Sequence, residues 1–378
     1  MNKRTFWINT GELSGDMQGA LLLNALRQQA PGSHFTGMGG VHLAQAGLDP
    51  LFRIEDLSVM GITEVFGHLP KIFRMLKDIK AALARVRPDA VIVIDAPDFH
   101  FRVIKAAREL GIPVYYYISP KIWAWRERRA LFIRENVRRL ISILPFEAKF
   151  YRRFDMRVDY VGNSLVDTVN YPALKHVAPD ADLVGFLPGS RQKEISSLLP
   201  AFGGAARILR QRLPHIRFAC LRAPGLEESL LREYWPDDVP VDFVSPDNRF
   251  AFMRRCRMLI AASGTVTLES AIAGVPAIVT YKVSPLSFAV GKLLVKVPYI
   301  SLPNLILGRE VFPELLQKQC DAVPLADAAL RWLLPRPGND PLDAIREDMQ
   351  EIRRLLGEPG AADRAARVIL KDLALLDS

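Results

Sequence analysis

FWINTGELSGDMQGA, residues 6–20, runs from an apolar segment through a glycine-rich turn into a helical pattern. A strand, a tight turn and a helix start in that order are the opening unit of an α/β domain. Gly11, Gly15 and Gly19 allow close turning and close approach of a ligand, while Ser14 and Asp16 are candidate helix N-caps. Such a junction receives a phosphate or a sugar. It is neither GxGxxG nor a loop ending in Gly-Lys-Ser/Thr, so the stretch specifies the fold class and leaves the ligand open.

Outward from this loop, strand and helix candidates alternate. Apolar segments at 5–9, 90–94, 114–118 and 139–144 read as strands, with helical stretches at 17–29 and 102–111. PDAVIVIDAPDF (88–99) is a near-continuous apolar run, as expected of a central strand buried on both faces. It ends in Asp95 and Asp98, at the carboxyl edge where α/β sites gather. After the polar stretch at 170–182, strand candidates resume at 183–188, 216–220, 241–245, 258–262 and 276–281. The expected architecture is two facing Rossmann-like domains with a cleft between them. Their expected limits are 1–168 and 169–340, with a helical tail at 341–378 packing back on the first.

The 378 residues are enough for about two cores. With 49% hydrophobic and 24% charged residues the chain reads as globular, and its net charge of +9 suits nucleic acid, anionic lipid or a phosphorylated molecule equally. Basic residues are interspersed with acids and no nucleic-acid module is present, which disfavours the first of these. Cys220, Cys256 and Cys320 are scattered and odd in number, which argues for reduced thiols and a reducing compartment. The N-terminus lacks a signal peptide's apolar core, and no apolar run approaches the roughly 18–20 residues of a membrane span. A cytoplasmic protein touching a membrane at its surface at most is expected.

LPGSRQKEI (187–195) is a second strand–turn–helix anion site, in which Ser190 can cap and Arg191 can fork onto a phosphate. ASGTVTLE (262–269) repeats the theme with Ser263, Gly264 and Thr265. Glu269 follows one helical turn later, able to hold ribose hydroxyls or to face solvent. Two phosphate-type turns in the second half, with the Glu12 loop and Asp98 in the first, suit inverting transfer of a sugar from a nucleotide diphosphate. Asp98 is the candidate base, its pKa expected to rise through partial burial. Asp95 orients it or caps the next helix. Trp123, Trp125 and Arg126 read as a sugar-binding wall or as core aromatics. Of the six histidines, five have no partner at metal-ligand spacing, and His68 is ambiguous. Residues 69–83 place Leu69, Ile72, Phe73, Leu76, Ile79 and Leu83 on one helical face, with Lys71, Arg74, Lys77 and Lys80 around it. This is an ordinary surface helix or one lying on an anionic membrane.

Taken together, the chain resembles the lipid-A-disaccharide synthase family. The resemblance rests on GELSGD (11–16), VMGITEV (59–65), IDAPDF (94–99), YYISPKIWAWR (116–126), LPFEAKFY (144–151), LPGSR (187–191), ASGTVTLE (262–269) and SLPNLILGREVFPELLQ (301–317). It implies a GT-B fold with no catalytic metal. The implied reaction joins UDP-2,3-diacylglucosamine to 2,3-diacylglucosamine 1-phosphate, making a β-1,6 disaccharide and UDP, with Asp98 as base. By the same resemblance Arg191, Ser263, Gly264, Thr265, Glu269, Asn304 and Gln317 line the nucleotide side, where Ser190 of the anion turn is also expected. Glu12, Ser14 and residues 60–66 lie nearer the acceptor or its acyl chains. It also implies a peripheral place on the inner membrane through residues 59–83, and a homodimer is compatible with it. Two positions depart from the family: Leu13 replaces a small residue, and Asn163 stands in Val161-Gly162-Asn163-Ser164 where His is usual. Asn can hydrogen-bond but cannot shuttle a proton. Rival readings are another GT-B enzyme acting on a UDP-sugar, such as a 2-epimerase, and a non-catalytic lipid or nucleotide binder.

Overall fold

The computed structural model describes residues 3–58, 65–334, 340 and 342–377. The chain divides into two compact units, Met1–Asp167 with Leu356–Ser378, and Thr168–Leu355. The boundary therefore falls inside the stretch from 341 onward, whose Asp343–Leu356 helix is separated from the Ala361–Ala374 helix by a short turn.

The first unit holds strands β1 (Thr5–Thr10), β2 (His34–Gly39), β3 (Asp49–Arg53), β4 (Ala90–Ile94), β5 (Val114–Tyr117), β6 (Arg139–Ser142) and β7 (Asp159–Tyr160). They form one parallel sheet in the order β3-β2-β1-β4-β5-β6-β7. Every residue of β4 is fully buried, which is why it reads as an unbroken apolar run. The Leu13–Gln29 helix packs Leu22, Leu23 and Leu26 into the core, where Ala365, Ala366, Ile369 and Leu373 of the Ala361–Ala374 helix join them. Each large apolar side chain so buried contributes about 1.5–3 kcal/mol. Asp372 anchors that last helix, accepting from Tyr115 Oη at 2.8 Å and pairing with Arg138.

The second unit holds β8 (Asp180–Leu187), β9 (Arg217–Leu221), β10 (Asp242–Val244), β11 (Cys256–Ala262), β12 (Ala277–Tyr281) and β13 (Glu314–Leu316). Its parallel sheet runs β10-β9-β8-β11-β12-β13. Taken strand by strand, this is the same winding as the first sheet. All three cysteines are free thiols buried in this unit.

The winding positions the motifs. In each sheet the order reverses between the unit's first strand and its fourth, which are neighbours: β1 beside β4, and β8 beside β11. Ligands of doubly wound sheets bind outside the carboxyl ends of the strands at this reversal. In the first unit Thr10 lies opposite Ile94, so GELSGD and DAPDF leave the sheet side by side. In the second, Leu187 lies opposite Ala261, so LPGSR and ASGT do the same.

Candidate active site

In the first unit the two loops interlock. Gly11 N donates to Asp95 Oδ1 at 3.1 Å. A Cβ built on Gly15 would lie 1.7 Å from Asp95 Oδ2, and one on Gly11 would lie 2.3 Å from Ala96 Cβ. Glycine at both places is thus required by the Asp95–Ala96 turn pressing against the loop. Asp95 and Ala96 both have positive φ, 60° and 34°, a conformation that costs a non-glycine residue of order 1 kcal/mol or more.

A hydrogen-bond chain holds this strained turn. Trp7 Nε1 donates to Asn9 Oδ1 at 3.1 Å, which fixes the amide with Nδ2 facing His100 Nε2 at 3.0 Å. Asn9 Nδ2 can only donate, so His100 Nε2 accepts and His100 Nδ1–H donates to the Asp95 carbonyl at 2.7 Å. Tyr116 Oη donates to the same carbonyl at 2.7 Å. Burial pushes the fully buried His100 imidazole down to about 4, so it stays neutral. Nothing in the spacing of the histidines marks His100 as this brace; the signal lay in Asn9 as a polar position inside a buried strand and in His100 flanked by Phe99 and Phe101.

The two acids differ sharply. Burial pushes the Asp95 carboxyl up to about 8, with Glu12 and Asp16 adding to the rise; its Oδ2 is sealed from solvent, with no hydrogen-bond partner among the described residues. Asp98 is the opposite case. Its side chain is 68% exposed, accepting from Arg126 Nη1 at 2.9 Å and pairing with Arg129. Desolvation alone would raise it, but the Arg129 and Arg126 guanidiniums outweigh that and hold its carboxyl below the usual range. The expected upward shift belongs to Asp95 and not to Asp98, because the strand end buries the first acid and the helix start exposes the second.

Other expectations are also revised. Asp16 does not cap its own helix: its buried carboxylate accepts from Gly40 N at 2.6 Å, His42 N at 2.9 Å and Leu43 N at 3.3 Å. It thereby caps the neighbouring Val41–Ala46 helix. The N-cap of the Leu13–Gln29 helix is Glu12 through its backbone, and Glu12, Leu13 and Ser14 stand exposed. The paired indoles separate. Trp123 is buried and donates to Glu147 Oε1 at 3.0 Å, whereas Trp125 is exposed with the Arg126 guanidinium 3.8 Å over its ring. Glu147, which also accepts from Ser142 Oγ at 2.6 Å, is pushed by burial up to about 7. Asn163 is buried, donating to the Ile143 carbonyl at 3.0 Å and accepting from Leu165 N at 3.0 Å. Its amide is built into a turn.

In the second unit, Ser190 is not the cap of the Gln192–Arg212 helix; Arg191 holds that position. Glu194 Oε2 accepts from Ser190 N at 3.3 Å and Arg191 N at 3.4 Å. The turn's free N–H groups thus face a carboxylate of their own helix, with the Arg191 side chain 82% exposed. Gly264 and Thr265 are exposed at the start of the Thr265–Ala273 helix, and a Cβ on Gly264 would meet nothing within 4 Å. Ser263 N is held by the Thr280 carbonyl at 2.8 Å. Glu269 is not solvated: burial raises its carboxyl against the pull of Arg249, whose Nε donates at 3.1 Å. The side-chain amides of Asn304 and Gln317 are committed to the protein. Asn304 accepts from Val311 N and Phe312 N and donates to the Phe312 carbonyl and Glu314. Gln317 exchanges two hydrogen bonds with the Val283 backbone.

Residues 6–365, which carry both loop pairs, match the family model described as LpxB, Lipid-A-disaccharide synthetase. The chain belongs to the lipid-A-disaccharide synthase family. Relatives bearing that name include the Syntrophus aciditrophicus protein, 38% identical over 98% of both chains, and the Myxococcus xanthus protein, 38% identical over 96% of this chain and 95% of its own. Family membership places the chain among the glycosyltransferases of lipid A biosynthesis, and so among enzymes rather than simple binders. Solved structures extend the likeness in fold alone. A putative UDP-N-acetylglucosamine 2-epimerase from Listeria monocytogenes superposes with TM-score 0.65 at 13% identity, covering 97% of this chain and 95% of that one. The calicheamicin glycosyltransferase CalG4 gives 0.66 at 15%, covering 99% of each. Both units are of the Rossmann-like kind seen in GT-B proteins.

Proposed function

We propose that this chain transfers the diacylglucosamine of UDP-2,3-diacylglucosamine to the 6-hydroxyl of 2,3-diacylglucosamine 1-phosphate. The acceptor oxygen attacks the donor C1, the bond from C1 to the UDP oxygen breaks with its electron pair, and the hydroxyl proton passes to Asp98. The carrying observation is the exposed, ionised Asp98 between Arg126 and Arg129 at the sheet edge that also bears the Glu12 loop. Arg126 and Arg129 suit the acceptor's phosphate. A phosphate that draws either guanidinium away also frees the carboxylate to take a proton. Asp95 is then a positioning residue: neutral, buried, and braced so that the Gly11–Gly15 loop stays open. Exposed Leu13 and Met17 beside Glu12 and Ser14 suit acyl chains.

The second unit would hold the UDP portion. Arg191 and the open turn at Ser263, Gly264 and Thr265 would face the diphosphate, and Glu269 the ribose. Asn304 and Gln317 serve this side by shaping its loops, since their amides are already engaged. Ser190 adds a hydroxyl at the turn.

Peripheral attachment is assigned to residues 59–83. Residues 59–64 lie outside those described, as do the side chains through 70. In the described part of the Val65–Val86 helix, Met75, Ile79 and Leu83 are buried, while Phe73 and its flanking Lys71, Arg74 and Lys77 are exposed. No described helix is long and apolar enough to cross a membrane. Sedimentation with vesicles should require anionic lipid and weaken when Lys71, Arg74 and Lys77 are neutralised.

Incubating the purified chain with both substrates, with and without EDTA, should yield disaccharide and UDP in both cases. Asp98→Ala should lose about 10²–10⁴-fold in turnover. Full turnover by that variant would overturn the assignment, and no turnover by the parent chain would favour a binder.

A further inference from the structure

The Pro285–Leu294 helix of the second unit has no buried residue. Leu286 is 76% exposed and Leu293 86%, and Val290, Leu294 and the following Val295 are exposed as well. At 3.6 residues per turn, Leu286, Val290, Leu293 and Leu294 fall within an arc of about 100°. The helix is nonetheless well formed at both ends. Ser284 Oγ accepts from Ser287 N at 3.2 Å, Pro285 occupies the first turn, and Val295 N donates to the Gly291 carbonyl at 2.8 Å. Here a stable helix presents an apolar stripe that the domain does not cover.

Charge distinguishes what would cover it. From Tyr281 to Arg309 there is no Asp or Glu. Four cations lie in that span: Lys282 pairs with Asp321, and Arg309 with Asp348 and Glu351. Lys292 and Lys296 are exposed and make no ion pair among the described residues. On the same wheel Lys292 falls about 150° from the middle of the apolar arc, on the far side of the helix, and Lys296 follows just past the helix end; from such positions a lysine reaches lipid phosphates while its stem covers apolar surface. The Val65–Val86 helix differs, because there Met75, Ile79 and Leu83 are buried and Phe73 is the one large apolar residue exposed among those described.

We propose that the Pro285–Leu294 helix is a second membrane seat, lying in the interface of an anionic bilayer with Leu286, Val290, Leu293 and Leu294 immersed. Lys292 and Lys296 meet the lipid phosphates. At ten residues the helix is about 15 Å long, half of a hydrocarbon core, so it lies along the surface. The proposal concerns the second unit alone and does not depend on the transfer reaction.

The test uses the full chain with Leu293→Cys carrying an environment-sensitive fluorophore, the three native thiols being buried. Vesicles of phosphatidylcholine with one-quarter phosphatidylglycerol should shift the emission to the blue, and brominated lipid should quench it. Pure phosphatidylcholine should do neither at the same lipid concentration. Lys292→Gln with Lys296→Gln should weaken partitioning by roughly tenfold or more. Leu286→Ser with Leu293→Ser, tested by sedimentation in unlabelled protein, should do likewise. Activity on substrates dispersed in detergent micelles should stay at the parent level in these variants, which separates loss of seating from loss of chemistry. A label that stays silent while anionic vesicles sediment the protein overturns the proposal. So does a blue shift that needs no vesicles and grows with protein concentration, which would mark the stripe as a contact between copies of the chain.

Discussion

Asp95 and Asp98 stand three residues apart and behave as opposites, and the difference is measurable. Asp95 has a folded pKa of about 8 against an ordinary value of 3.8, so between those values the folded state holds a proton that the unfolded state has released. Stability from this group is therefore full below the ordinary value and falls as pH rises towards 8, with a slope of up to about 1.4 kcal/mol per pH unit. Urea unfolding from pH 5 to 8 should show this slope in the parent chain, and Asp95→Asn should flatten it. An unchanged slope would mean the carboxyl is ionised in the folded state. Asp98, held low by Arg129 and Arg126, keeps its base form throughout the neutral range. Arg129→Gln should move the acid limb of kcat/KM upward in pH and raise KM for the phosphorylated acceptor. An acid limb that stays where it was would remove Arg129 from the base's environment. IDAPDF alone placed both acids at the carboxyl end of a strand; which one is buried it left open, because burial depends on a turn with positive φ that no residue type there announces.

At the scale of elements, the apolar strands β1, β4, β5, β8 and β11 were visible as runs. β2 and β3 were not, since HFTGMG and DPLFR carry glycine, proline and charge. Gly37 shows why β2 tolerates glycine: its φ is 136° and a Cβ would lie 2.1 Å from the Ile8 carbonyl oxygen on the neighbouring strand. The Val41–Ala46 helix after it depends on Asp16, which arrives from another element. Asp16→Ala should leave three N–H groups without their acceptor and cost about 1–3 kcal/mol. Thermal melting should show it. A melting temperature equal to the parent's would mean that water replaces the cap.

For the whole molecule, the chain's end belongs to its beginning. The Ala361–Ala374 helix supplies Ala362, Ala365, Ala366, Ile369 and Leu373 to the first unit's core, and Asp167 accepts from Gly360 N at 2.6 Å at its start. A chain truncated after Leu355 should lose cooperative unfolding of the first unit and expose its core, whereas the second unit, ending there, should keep its transition. Calorimetry of the truncated chain would show one transition instead of two. Retention of both would mean the last helix is dispensable packing.

Residue type and order determined that this is a two-sheet α/β chain, where its glycine-rich strand-to-helix turns fall, and which family it belongs to, because apolar periodicity and short polar motifs are local properties. Folding decided the rest. The shared strand order sets GELSGD against DAPDF and LPGSR against ASGT. Burial kept the proton on one of two nearby carboxyls while two arginines held the other ionised, and an apolar helix in the second unit was left uncovered. These follow from what packs against what, and packing partners far apart in the chain leave no mark on either partner's own sequence.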